Sequence, residues 1–194
     1  MAARARGRAT YEDLVRAPEN MIAELVDGDL FTSPRPRGAH SEFSSQLLID
    51  VGWRYYRGQG GPGGWIIVYE PEVHFEINRL VLVPDIAGWR RERMPTVPQD
   101  HRFLVPPDWV CEVLSPSTYR LDRHRKLPTY ADYGVRHAWI ADPVERFVEI
   151  YRLENEHWVL LHTYGGEDKF RAEPFEEVEI DLASIWGPDS PPAP

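Results

Sequence analysis

An α/β fold, with a mixed β-sheet flanked by α-helices and a β-hairpin near its N-terminal end, is what this sequence predicts. Three observations carry the expectation. Leu80 to Ile86 (LVLVPDI) and Trp109 to Leu114 (WVCEVL) are short apolar runs, rich in β-branched residues and bounded by turn formers, as buried strands are. Between His40 and Tyr56, residues Phe43, Leu47, Leu48, Val51 and Tyr55 recur at helical spacing. Helix, strands, helix and strands then follow one another along the chain, an order that suits a mixed sheet with helices packed on it.

Taken in order, Thr10 with Asp13 marks the start of a short helix through about Val15, which ends before Pro18. Met21 to Val26 and Asp29 to Thr32 read as a hairpin, because Asp27-Gly28 suits a two-residue turn. Ser33 to Gly38 (SPRPRG) is a loop, and the amphipathic helix from His40 ends at the glycine-rich GQGGPGG. Strands are expected at about 65–69, 72–77, 80–89 and 109–114. A second helix covers Asp122 to Tyr133, kinked at Pro128 or beginning with it in its first turn, with Gly134 as C-cap. Strands at about 137–141, 147–153 and 157–164 close the pattern, with a further short one near 175–181.

The 194 residues fit one domain: 1–9 read as a flexible N-terminus, 10–187 as the domain and 188–194 as a disordered proline-rich tail. No apolar run approaches the roughly 18 residues that a membrane span needs. The N-terminus is basic but has no hydrophobic stretch behind it, so it does not read as a secretory signal. Cys111 is the only cysteine, which rules out an internal disulfide and a thiolate metal cluster and suits a reducing cytoplasm. The net charge of −9 argues against a nucleic-acid partner until its distribution is considered. Residues 141–194 hold four basic and thirteen acidic side chains, whereas residues 89–140 hold nine basic and six acidic. Arg90, Arg91, Arg93, Arg102, Arg120, Arg123, Arg125 and Lys126 thus form either a solvated face or a phosphate-facing rim.

Asp85 and Glu112 lie inside the two apolar runs, where a carboxylate is costly unless something positive compensates it. If the runs are neighbouring strands, both acids converge at one end of the sheet. Their oxygens are hard ligands of the kind Mg²⁺ prefers, with Mn²⁺ able to substitute. Such an ion neutralises a phosphate oxygen and acidifies water, and an ammonium nearby stabilises charge developing at phosphorus. The competing interpretation is a pair of strand-end charges matched with arginines.

The same stretch resembles the PD-(D/E)XK nuclease superfamily, and within it the Uma-two family of bacterial endonucleases. The likeness rests on Ala23-Glu24-Leu25-Val26-Asp27-Gly28, His40, Pro84-Asp85, Glu112-Val113-Leu114-Ser115-Pro116-Ser117, Asp122-Arg123 and Lys126-Leu127-Pro128-Thr129-Tyr130. Gly134, Ala138-Trp139-Ile140-Ala141-Asp142 and Val148-Glu149-Ile150-Tyr151 complete it. It implies a restriction-endonuclease-like core and Mg²⁺-dependent cleavage of phosphodiesters, of DNA ahead of RNA. Asp85 and Glu112 would hold the metal, with the Val113 carbonyl as an additional ligand and Lys126 as catalytic ammonium. The lysine that the superfamily pattern places two residues after the glutamate is Leu114 here, and the family pattern instead has its lysine on the next helix, at Lys126. Glu24 and His40 become candidates for a second ion or for substrate, against a hairpin ion pair and a helix N-terminal residue. Tyr130 is a weaker candidate that packs, and Asp122 caps the helix or orients Lys126.

Two rivals remain open on sequence grounds. One is a catalytically silent nucleic-acid-binding or regulatory module on the same fold. The other is a serine hydrolase built on Ser115, although no Gly-x-Ser-x-Gly elbow surrounds that residue and a turn role suits it better. Cleavage of a duplex also favours a homodimer, for which Trp139, Trp158 and Trp186 are either apolar contacts or core.

Overall fold

In the computed structural model, residues 8–35 and 38–186 are described. Residues 1–7 of the expected N-terminal arm and the 188–194 tail lie outside them. The elements run α1 (Tyr11–Val15), β1 (Met21–Val26), β2 (Asp29–Pro34), α2 (Ala39–Val51), β3 (Trp65–Tyr69), β4 (Glu72–Glu76), β5 (Leu80–Leu82) and β6 (Ile86–Arg90). They continue with β7 (Arg102–Phe103), β8 (Trp109–Val113), α3 (Tyr119–Leu121), α4 (Leu127–Asp132), β9 (His137–Asp142), β10 (Phe147–Glu154) and β11 (His157–Gly165). The short β12 (Lys169–Phe170), β13 (Ile180–Asp181) and α5 (Leu182–Ile185) end the described chain. The architecture is the expected mixed α/β one. Elements β7, β12 and α5 were not expected; two-residue strands and a single helical turn leave too little periodicity to read.

Local chemistry explains the elements that position the site. Thr10 caps α1 in a reciprocal box with Asp13. The β1–β2 hairpin closes on Asp27 and Gly28, both at positive φ, the mirror-image turn that the right-handed strand twist favours. Helix α2 runs on into a π-type turn over Gly52–Tyr56, where the Arg57 amide reaches back five residues to the Gly52 carbonyl. A second π-type turn, Asp122–Lys126, joins α3 to α4. Pro128 has no amide to offer the His124 carbonyl, and its ring crowds that carbonyl, so the backbone widens by one residue and the Leu127 amide bonds Asp122. Gly134 and Val135 then close α4 by donating to Ala131 and Tyr130.

Two main sheets divide the strands. The first has the order β2-β1-β5-β4-β7 and the second the order β11-β10-β9-β8-β6-β3. In the second, β8 and β9 are parallel and the remaining pairs antiparallel. One core, with Phe43, Leu47, Trp109, Trp139 and Phe175, fills one face of this sheet beneath α2. Another, with Trp89, Val110, Tyr130 and Ala138, fills the opposite face.

The expected single strand over 80–89 is corrected. The run breaks at Val83-Pro84-Asp85, with β5 in the first sheet and β6 in the second. Pro84 has no amide for a ladder, so the chain changes sheets where it stands. Trp139 and Trp186 are buried, and the half-buried Trp158 donates its indole N–H to the Leu127 carbonyl at 2.7 Å. These three tryptophans belong to the packing of the chain rather than to an exposed contact.

Candidate active site

The seam between the two sheets opens into a cleft of about 370 Å³. Glu24 on β1, His40 on α2, Asp85 at the sheet change, Glu112 on β8 and Asp122 and Lys126 on the second π-type turn all line it. Strands β6 and β8 pair antiparallel with Ile86 opposite Cys111, which sets Asp85 and Glu112 side by side at the strand ends. The convergence expected of neighbouring strands is therefore present.

Lys126 is the centre of this cluster. Its ammonium stands 2.8 Å from Glu112 Oε2, 3.1 Å from Glu24 Oε1 and 3.6 Å from Asp122 Oδ1, and donates to the Val83 carbonyl at 3.0 Å. Glu24 in turn accepts the Val83 amide at 2.8 Å. Both backbone groups that Val83 leaves unpaired on departing β5 are thus taken by site charges. Asp85 accepts the Val113 amide at 2.7 Å, and its other oxygen lies 3.3 Å from His40 Nε2. Tyr130, wholly buried, packs against Phe75 and donates its hydroxyl to Glu112 Oε1. It thus packs and also holds a site carboxylate.

Three carboxylates face one ammonium here, and burial weighs on the charges of Glu112, Asp122 and Lys126. Burial drives Glu112 well above the usual carboxylate range, an effect that Lys126 only partly opposes. It pushes Asp122 up to about 7, again against the pull of Lys126. Burial would depress Lys126, but Glu112 and Glu24 together outweigh it and keep the ammonium protonated far into the alkaline range. Burial also opposes charge on His40, yet the hydrogen bond to Asp85 wins and raises the imidazole above its ordinary value. Cys111 is a fully buried thiol pushed up by the same burial, on the strand face opposite Glu112, as its parity requires.

Several expectations are redrawn. Asp122 does not cap a helix: it lies inside the continuous α3–α4 segment, buried beside Lys126. Of the eight cations around the candidate motif, only Lys126 lines the cleft. Arg93 pairs with Asp108, Arg102 with Asp100, Arg123 with Glu149 and Arg125 with Asp27, while Arg90 and Arg91 stack over Trp65 and Tyr56. The cleft instead takes Arg35, a residue that no sequence pattern singles out, which pairs with Glu70 at 2.9 Å and stays half exposed at the mouth. Leu114 is buried, which accounts for an apolar residue where the superfamily pattern has lysine. Ser115 shares hydrogen bonds with the Ser117 and Thr118 hydroxyls at 2.9 and 3.0 Å and accepts the Thr118 amide, a turn arrangement ahead of α3.

The donor set suits a divalent cation. All the acidic ligands offered are hard oxygens, their charge exceeds what Lys126 offsets, and Asp122 Oδ2 is buried without a hydrogen-bond partner among the described residues. Among the described residues no group of three or more His, Cys, Asp or Glu side chains is arranged to hold a metal ion by itself. Mg²⁺ needs only one or two carboxylates and keeps several waters. The engaged oxygens of Asp85 and Glu112 each retain a further lone pair.

Residues 8–183 match a family described as "Putative restriction endonuclease", named Uma2. The chain belongs to the Uma2 family. Membership supports a nuclease role, and the restriction-endonuclease-like families to which Uma2 is referred generally use divalent metals. Among solved structures, the fold is similar to that of "a putative nuclease belonging to DUF820" from Anabaena variabilis ATCC 29413. The two share 23% identity with a TM-score of 0.71, over 91% of this chain and 97% of that one. No curated protein matches the chain. Among the described residues, no helix is long and apolar enough to cross a membrane.

Proposed function

We propose that this Uma2 protein is a Mg²⁺-dependent endonuclease that hydrolyses phosphodiester bonds of nucleic acid, DNA ahead of RNA, in a reducing cytoplasm. The observation that carries the reading is the meeting of Asp85, Glu112 and Lys126, from three separate elements, in one cleft. Asp85 and Glu112 would hold the ion. When bound, it supplies Lewis acidity, neutralising phosphate charge and lowering the pKa of water.

The chain's own residues do the rest. Tyr130 and Lys126 fix the Glu112 carboxylate from two sides, while the Val113 amide and His40 fix Asp85. Lys126, protonated throughout the physiological range, offers positive charge to the phosphoryl oxygens as negative charge grows on them. Arg35 at the mouth meets the incoming backbone, and Glu24 keeps the ammonium in place from the first sheet. Two copies of the chain would present two such clefts to a duplex, through the open edge of β11.

Purified protein incubated with supercoiled, linear and single-stranded substrates tests the reading. Cleavage with Mg²⁺ or Mn²⁺ that stops in EDTA is expected. Binding without cleavage under every metal condition would replace the enzyme with a silent nucleic-acid-binding module.

A further inference from the structure

The far end of α2 carries a surface that the cleft does not use. Ile49, Trp53 and Arg57 follow one another at intervals of four, so they are neighbours on the outer side of the helix. Trp53 is 52% exposed and Tyr56 40%. Arg91 lies over the Tyr56 ring at 5.0 Å, and Arg90 lies over Trp65 at 4.7 Å. The Arg91 amide bonds the Gly64 carbonyl, and the Gln59 amide bonds the Trp53 carbonyl, which ties the glycine-rich turn into the same patch. Residues 52–64 and 88–93 contribute Arg54, Arg57, Arg90, Arg91 and Arg93 against the single acid Glu92. Arg54 is matched by Asp50 and Arg93 by Asp108. Arg57, Arg90 and Arg91 remain without a carboxylate partner among the described residues, in a chain whose net charge is −9.

We infer that this patch is a second nucleic-acid contact, which holds an unpaired strand outside the cleft. Arginines take the phosphates, and the indole of Trp53 with the phenol of Tyr56 takes the faces of bases, a combination that tolerates any sequence. A duplex hides its base faces, and an indole on the convex end of a helix cannot reach them, so the exposed aromatics favour a single strand. The local positive charge favours a polyanion over a second copy of this acidic chain. Helix geometry places Trp53 roughly 20 Å from His40, a span of about six nucleotides at the per-strand spacing of a duplex. The inference rests on the nuclease reading, and the patch would anchor a strand whose other end lies in the cleft.

Anisotropy with a labelled single strand and with the corresponding duplex, in EDTA across a salt series, tests it. The variants are Trp53→Ala and the double variant Arg57→Ala/Arg91→Ala, each checked for an unchanged melting temperature. Trp53→Ala should weaken strand binding about tenfold, the value of one base stack. The arginine variant should flatten the slope of log K against log salt by about 1.4, or about 0.7 for each phosphate no longer neutralised. Duplex binding should change by less than about twofold, below the effect of one stack. Unchanged strand binding overturns the proposal, and so does an equal loss on duplex, which would mark a duplex-backbone surface. A fall in mass on light scattering with Trp53→Ala would assign the patch to a second copy instead. Parental protein that neither binds nor cuts any nucleic acid removes the nuclease reading as well. Metal-dependent cleavage with variants that bind like the parent removes only this surface.

Discussion

Removing the Lys126 ammonium would leave Glu24, Glu112 and Asp122 facing one another where solvent barely reaches. Breaking a buried ionic cluster in this way costs on the order of 3–5 kcal/mol. Lys126→Ala should therefore melt below the parent without metal, and Mn²⁺ should raise its melting temperature more than the parent's, because a cation relieves the same repulsion. Cleavage should fall by about 10²–10³, the usual weight of one electrostatic donor, and calorimetry beside a cleavage assay reads both effects. Parental cleavage by this variant would remove Lys126 from the chemistry. His137, away from the cleft, gives an independent check on the core. Burial lowers its pKa to about 4, an effect that Glu176 opposes and that Arg90, Arg136 and Arg152 reinforce. Between pH 6.5 and 4 the unfolded chain carries a proton on this histidine that the folded chain does not. Its contribution is present above about pH 6.5 and is lost on acidification, by at most about 3 kcal/mol. Urea melts of the parent and of His137→Gln should converge as the pH falls through this window. Asp85 and Glu112 could be read from sequence because a charge in an apolar run demands a partner. Arg35 could not, since its place depends on how a loop lies over a distant sheet.

The π-type turn at Asp122–Lys126 sets the direction of the Lys126 ammonium, and Pro128 forces that turn. Pro128→Ala restores an amide for His124 and allows an ordinary α-helical turn, which removes the extra residue and rotates Lys126 away from Glu112. The variant should match or exceed the parent in thermal stability, since alanine is the better helix former, yet lose at least about tenfold in cleavage. Equal cleavage would show that the widened turn is incidental. The proline's interruption of the helix was visible in the sequence, but the insertion of one backbone residue was not, because periodicity does not distinguish a kink from a bulge. The same limit explains the run Leu80 to Ile86: its apolar character is continuous although its hydrogen bonds belong to two sheets.

At the scale of the molecule, the second sheet ends in β11, nine residues of open edge. His157 to Gly165 contains no Lys, Asp, Glu or Pro, the residues that usually blunt such an edge, and Val159 and Leu160 are 37% and 48% exposed. An antiparallel pairing of two copies along it is self-complementary and sets no like charges opposite each other. Light scattering should return a dimer, and Leu160→Lys should shift it to monomer without loss of the fold. A monomer across a wide concentration range for the parent would refute the pairing. Sheet order itself was not legible, since it depends on contacts between distant strands that local patterns do not encode.

The seam at Val83-Pro84-Asp85 has a consequence for how the molecule fails. Glu24 belongs to one sheet and Glu112 to the other, and a single ammonium joins them. The two layers cannot part without dismantling the candidate site. A chain whose two layers have separated has thus lost this cluster, even where each layer keeps its own strands. For the nuclease proposed above, the fold doubles as a safety catch.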